Sequence, residues 1–378
     1  MPPHPSEDRL AQLRGHLPPQ SYSARKITAL TANPACARRA VLDATGVDKA
    51  QLALRLGHEP RFGQSPFAIA RSQSFEALVM WGGYAELIRL LREELSVPVE
   101  EAAVADLHEV AGRTTLVARE RETRRLLARI AEGGADRLIL DHPVLTLEVA
   151  GHTAYLEPDV VTHRIGDRFH IVAIRSFSAV DGQADPVAVA ETARQAAVYV
   201  LALRRAFVAA RIDPTLVSHR FLLVCPQDFS NRPYGRLLDI RQEIDAIEFQ
   251  LGRLRRAEDL AALLPAGSTF DLSRSTDGAP TRSDAQLLAS VDALDAAYAP
   301  SCLGFCEVSG HCRTEASANG SPARLGTAVR GDLPGIDSTR TALAYLDGTA
   351  TPEPELADVV DLLTAADRLR SLRGGGAA

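Results

Sequence analysis

Lysine is almost missing from this chain. Of its 42 basic residues only Lys26 and Lys49 are lysine; the rest are arginine. Arginine this abundant, beside so much alanine, has the look of a GC-rich codon bias and carries little functional weight by itself. Net charge is −6, so no global positive field draws in nucleic acid, and any such surface must be local. No apolar run approaches the length of a membrane span. The N-terminal MPPHPSEDRL lacks the charged and apolar regions of a signal peptide. Both absences predict a cytoplasmic protein with no membrane partner. Cysteine is scarce too, with five residues in 378. In a reducing compartment, clustered cysteines are better read as metal ligands than as disulfides. The remaining composition, 46% hydrophobic and 24% charged, is that of a globular chain long enough for one large domain or two ordinary ones.

The few cysteines are unevenly placed. Cys36 stands early, in Asn33-Pro34-Ala35-Cys36-Ala37-Arg38-Arg39, and three more follow far downstream as Cys302-x3-Cys306-x5-Cys312. One early thiolate and a late triplet can make a four-ligand metal site joining distant segments. Gly304 and Gly310 in the two gaps supply the turns that such wrapping needs. Iron–sulfur, zinc and buried thiols without metal all fit the residues themselves. Cys225, alone in Leu-Leu-Val-Cys-Pro, reads as a core thiol. His311 reads as exposed rather than a ligand, since four thiolates already fill a site.

Residues 1–30 are polar and weakly patterned and read as a flexible segment. Asn33-Pro34 predicts a helix start, with Asn as N-cap and Pro in the first turn. A helical region follows through Phe75, Glu76, Leu78 and Val79, breaks at Gly82-Gly83 and resumes. Residues 116–132 read as an amphipathic helix ending at Gly133-Gly134. Residues 137–149, 153–163 and 168–176 alternate as three strands, the last two joined by a turn at Ile165-Gly166-Asp167. Asp185-Pro186 opens a long helix to about Arg211, and 220–225 is a buried strand. Residues 234–263 and 284–298 read as helical, 315–335 as a linker rich in small residues, and 353–372 as a last helix. The order helix, three strands, helix, strand predicts an α/β fold with a mixed sheet.

Several residues then fall into an order. Glu76 lies on the upstream helix, Pro158-Asp159 on the second strand, Val172-Ala173-Ile174-Arg175-Ser176 on the third, and Gln195-x3-Tyr199 on the helix that follows. This set resembles the PD-(D/E)XK nuclease superfamily, in particular its RecB-like branch. The resemblance implies a restriction-endonuclease-like core over roughly residues 31–314, closed by the cysteines and followed by a helical tail at 336–378. It implies catalytic roles for Glu76, Asp159, Arg175, Gln195 and Tyr199, with Asp159 holding Mg²⁺ or Mn²⁺ if the site is active. The family's Glu is Ala173 here and its Lys is Arg175. Ala173 offers no ligand, and Arg175 keeps the charge but cannot act as a base. Glu191, Gln195 and Tyr199 share one helical stripe, so Glu191 is a candidate replacement ligand.

The cysteine arrangement is similar to that of a 4Fe-4S group within the same branch, which includes the CRISPR-adaptation exonuclease and AddB nuclease domains. Those open with Cys-Pro-Arg-Arg/Lys and close with Cys-x2-Cys-x5-Cys. Here the first gap is one residue longer. The resemblance implies a cluster on Cys36, Cys302, Cys306 and Cys312, with zinc as the alternative. It also implies DNA as partner, single-stranded or an end, and a place beside a helicase or in a defence system. An active exonuclease using Glu191 and a zinc-stapled protein-interaction module are the other readings. The arginine groups at 124, 125 and 129, at 204 and 205, and at 253, 255 and 256 either track phosphates or are solvated helix faces with Glu neighbours. Trp81 and Tyr84 read first as core residues and second as stacking platforms.

Overall fold

Alternating side chains in the middle of the chain fix the two faces of a six-stranded sheet. Ile139, Val160, Val172, Ile174, Leu222 and Val224 belong to one apolar layer, and Leu140, Val161, Ile171, Ala173, Phe221 and Leu223 to the other, as a period of two requires. The computed structural model describes residues 5–60, 66–96, 102–110, 112–131, 138–165, 168–228, 230–318, 320 and 322–374.

Helices α1 (Pro5–Arg14), α2 (Ala24–Thr31), α3 (Ala37–Thr45), α4 (Lys49–Arg55) and α5 (Pro66–Leu95) come first. Strand β1 (Ala103–Asp106) and helix α6 (Leu116–Ala131) follow. The expected end of α6 at Gly133-Gly134 lies outside the described residues. Then come β2 (Leu138–Asp141), β3 (Leu145–Val149), β4 (His152–Leu156), β5 (Val160–Ile165) and β6 (Arg168–Ile174). Gly166 and Asp167 of the expected turn also lie outside the described residues. A short ribbon, β7 (Ala179–Val180) and β8 (Gln183–Ala184), precedes helix α7 (Pro186–Ala209), whose N-cap Asp185 accepts from the Val187 N–H. Strands β9 (Arg220–Pro226) and β10 (Pro233–Asp239) complete the sheet, in the order β1-β2-β5-β6-β9-β10. Pairing is parallel between β1 and β2 and between β6 and β9, and antiparallel elsewhere. The sheet is therefore mixed, with α7 over one face and α5 over the other.

Two of the three expected strands are each two strands. The run 137–149 breaks at His142-Pro143, where His142 has φ +48°, and 153–163 breaks at Glu157-Pro158-Asp159. Proline supplies no ladder N–H, so the chain leaves the sheet at both points. The outer halves, β3 and β4, pair with each other as a separate hairpin. The expected helix from 234 begins instead with strand β10; α8 (Arg241–Leu251) and α9 (Ala257–Ala262) come after it. Gly235 is what lets β10 lie close to α5: a Cβ there would meet Leu90 Cδ2 at 3.2 Å.

Residues 5–30 pack on the rest of the fold instead of forming the flexible segment expected. Leu10, Leu13, Ile27 and Leu30 are buried in the main core. Leu13 also accepts from Phe270 N–H, which ties α1 to the C-terminal part of the fold. Helix α3 starts at Ala37 with Cys36 as N-cap, later than Asn33-Pro34 predicts. Helices α10 (Asp284–Asp292) and α11 (Ser309–Ala318) bracket the cysteine triplet. The stretch read as a linker carries the end of α11 and helix α12 (Thr327–Asp332). Helices α13 (Thr339–Leu346) and α14 (Ala357–Gly374) then build a small cluster of their own around Ile336, Ala342 and Val360. Among the described residues no helix is long and apolar enough to cross a membrane.

Candidate functional site

Two places concentrate chemistry. The first is a small cavity lined by Cys36, Cys302, Cys306 and Cys312, with Asn33, Arg38, Arg39 and Phe305 around them. All four thiols are buried and unbridged. Among the described residues, which include all of these cysteines, no three sulfurs lie within 4.8 Å of one another. A single tetrahedral zinc would hold four sulfurs about 3.8 Å apart. A multi-iron cluster holds its thiolates farther apart than one ion does.

The walls of this cavity are cationic. Arg38, only 1% exposed, donates from Nη1 to Cys312 Sγ at 3.2 Å and to Glu315 at 2.7 Å, and from Nε to the Val291 carbonyl. Arg39 donates to the Phe305 carbonyl and pairs with Asp43 at 3.1 Å. Buried Lys49 joins Asp43 to Glu307, the residue after Cys306. Asn33, rather than capping a helix, donates to the Ala297 carbonyl and reaches Cys302 Sγ at 3.6 Å. Burial pushes the Cys312 thiol up to about 12, opposed by Arg38, and raises Cys306 as well, opposed by Arg39. Four soft sulfur donors with two adjacent guanidinium groups suit a site whose bound form is anionic. His311 is buried, not exposed, and its Nε2 lies 2.8 Å from Asp292. Arg38 lies 3.8 Å from Asp292 and 2.7 Å from Glu315, so these carboxylates already have a cation. Cys225 is buried in β9, as expected, and burial pushes it up to about 11.

The second place is an open cleft at the end of the sheet, lined by Gln73, Glu76, Ala77, Met80, His108, His142, Glu157 and Asp159. Asp159 stands just before β5, and its Oδ2 accepts from the Ile174 N–H and from Arg175 Nη1, both at 2.7 Å. Tyr199 is close enough that Asp159 adds to the effect of burial in raising its pKa. The structure thus brings Glu76, Asp159, Arg175 and Tyr199 into one region. Gln195 and Glu191 are half-buried on α7, and neither lines the cleft. Ala173 is 2% exposed within the apolar layer against α7.

Histidines complete the cleft. His142 sits between two carboxylates, with Nδ1 2.7 Å from Asp141 and Nε2 3.2 Å from Glu76. Burial favours its neutral ring, but Asp141 and Glu76 outweigh that and push it up to about 10. Burial would likewise raise Asp141; hydrogen bonds from His142 and Tyr84 outweigh it and hold the carboxyl below its usual range. His108 stacks on His142 with ring centroids 3.8 Å apart. The sequence reading missed this group because its members follow β1 and β2, elements that carry none of the matched motifs. The only cue was a histidine before Pro143.

Four of the eight arginines in the groups form ion pairs among the described residues. Arg124 and Arg125 bond Glu120 and Glu122, Arg205 bonds Glu248, and Arg256 bonds Glu258. Trp81 is 82% exposed, contrary to a core role, whereas Tyr84 is half-buried and donates to Asp141. Comparison with protein-family models, curated proteins and solved structures returns no match.

Proposed function

We propose that this protein is a DNA-binding iron–sulfur protein built on a RecB-like PD-(D/E)XK frame, with the family's usual catalytic pair lost. The observation that carries this reading is the convergence of Cys36 with Cys302, Cys306 and Cys312 on one buried cavity, across 266 positions of chain. The two buried arginines beside the sulfurs suit an anionic bound form, and the preference for a cluster over zinc comes from the resemblance of the cysteine pattern. When bound, a cluster supplies a covalent tie between α3 and the 302–312 segment.

The sheet supports the frame. Strands β2, β5 and β6 form an antiparallel run, α7 crosses over, and β9 returns parallel to β6. That is the helix, three strands, helix, strand order which the resemblance requires. Two features weaken catalysis of the family's kind. Ala173 supplies no ligand, and Arg175 occupies one oxygen of Asp159. Exposed Trp81, next in the chain to cleft-lining Met80, favours single-stranded DNA, because an unpaired base can stack on it.

Protein purified without oxygen is expected to be brown, to carry iron and to absorb broadly near about 400 nm. Cys36→Ser is expected to lose iron and solubility together. Colourless, zinc-loaded wild-type protein would overturn the reading.

A further inference from the structure

The cleft holds a second group of ligand atoms. One atom each from His108, Asp141 and His142 lies within 4.8 Å of the others, and Glu76 is 3.2 Å from His142. Donors on opposite sides of one ion lie up to about 4.2 Å apart, so small movements would bring one atom each of His108, Asp141 and His142 onto a single metal, whereas Glu76 meets the other nitrogen of His142. The backbone is shaped for it. His142 adopts φ +48°, a conformation that β-carbon-bearing residues avoid. It is held there by its N–H to the Asp159 carbonyl at 2.9 Å and by Arg119 on its own carbonyl. Tyr84, itself at φ +66°, donates to Asp141 Oδ2 at 2.6 Å, the outer support that a ligating carboxylate needs.

Charge points the same way. Asp159 is paired with Arg175, and Glu157 with Arg119. Among the described residues no arginine or lysine is bonded to Glu76 or Asp141, and Glu76 Oε1 is shut off from solvent without a well-directed hydrogen bond. Two imidazoles and a carboxylate match a divalent first-row transition metal better than Mg²⁺, which prefers oxygen and water.

We propose that His108, His142 and Asp141 bind one divalent first-row transition-metal ion in this cleft, with Glu76 orienting His142 from its other ring nitrogen. The site is displaced from the family's, which would use Asp159 and the residue at 173. It rests on the reading above only for what the ion would meet: a dication here would let a DNA phosphate enter a cleft that is otherwise acidic.

The test is Mn²⁺ alone, titrated into the chelator-dialysed full-length protein and followed by loss of the free-ion EPR signal. One equivalent is expected to bind to the wild type. His108→Gln and Glu76→Gln are each expected to weaken it at least tenfold. Exposed His108 can be replaced without disturbing packing, which keeps the test sound if a Glu76 or His142 variant misfolds. No bound Mn²⁺, or equal binding by wild type and His108→Gln, would overturn the proposal and leave the His142 imidazolium as the only cation between the carboxylates. Iron content, measured on the same samples, separates this outcome from failure of the iron–sulfur reading.

Discussion

A glutamate at position 173 would have to be buried. The Ala173 side chain lies in the apolar layer under α7 with 2% of its surface exposed, and its strand neighbour is Leu223. Placing there the acid that the nuclease resemblance expects, with Ala173→Glu, is therefore expected to cost roughly 3 kcal/mol or more, read as a lower urea midpoint, and not to create a cutting enzyme. Unchanged stability would mean that the side chain reaches the cleft after all. His170, three residues earlier and 1% exposed, makes a pH prediction. Burial, then Arg220 and Arg168, push it down to about 4. Above the ordinary value near 6.5 the ring is neutral in both states and costs nothing. Between there and about 4 only the unfolded chain takes up the proton, so stability falls with pH, by roughly 3 kcal/mol in all. His170→Phe is expected to flatten that part of the urea-midpoint profile between pH 7 and 4.5; an unchanged slope would assign the loss to other groups.

Helix α5 shows why element-level detail escapes a sequence reading. Its break at Gly82-Gly83 was legible, since two adjacent glycines permit positive φ, here +67° and +73°. The direction taken by the flanking side chains was not. Trp81 leaves the helical region at ψ 154° and points outward, while Tyr84 follows at φ +66° and turns in to Asp141. Trp81 is the only tryptophan, so its fluorescence reports on this spot alone. A single-stranded oligonucleotide at low salt is expected to quench it, with the effect fading steeply as salt rises. Trp81→Ala is expected to weaken binding by about tenfold, within the range of one stacked base. Quenching without loss of affinity in the alanine variant would make Trp81 a bystander.

For the molecule as a whole, the order of helices and strands was readable and the way they share sheets was not. Period two persists through Pro143 and Pro158, so nothing local says that β3 and β4 leave the main sheet. The four cysteines stood out because a rare residue type recurs at short spacing. His108, Asp141 and His142 did not, because 33 residues and a helix separate the first two. The early helices looked disposable for a related reason. Their few apolar residues gain meaning against distant partners, α7 and α8 on α2, while backbone bonds from the Phe270 N–H to the Leu13 carbonyl and from the Arg38 N–H to the Asp295 carbonyl reach some 250 positions along the chain.

That last arrangement bears on how the chain is made. Helices α1 to α3 leave the ribosome before the sheet, and the elements that pack on them come later, α7 and α8 over α2 and α9 over α1 and α3. At ordinary elongation rates of about 5–20 residues per second, roughly 15–50 s separate the emergence of Leu30 from that of Cys302. Until α7, α8 and α9 have emerged, Leu10, Leu13, Ile27 and Leu30 lack the surfaces they pack on. The newborn chain thus offers apolar helices to a holding chaperone for much of its synthesis, and the four cysteines can meet only once Cys312 has been made.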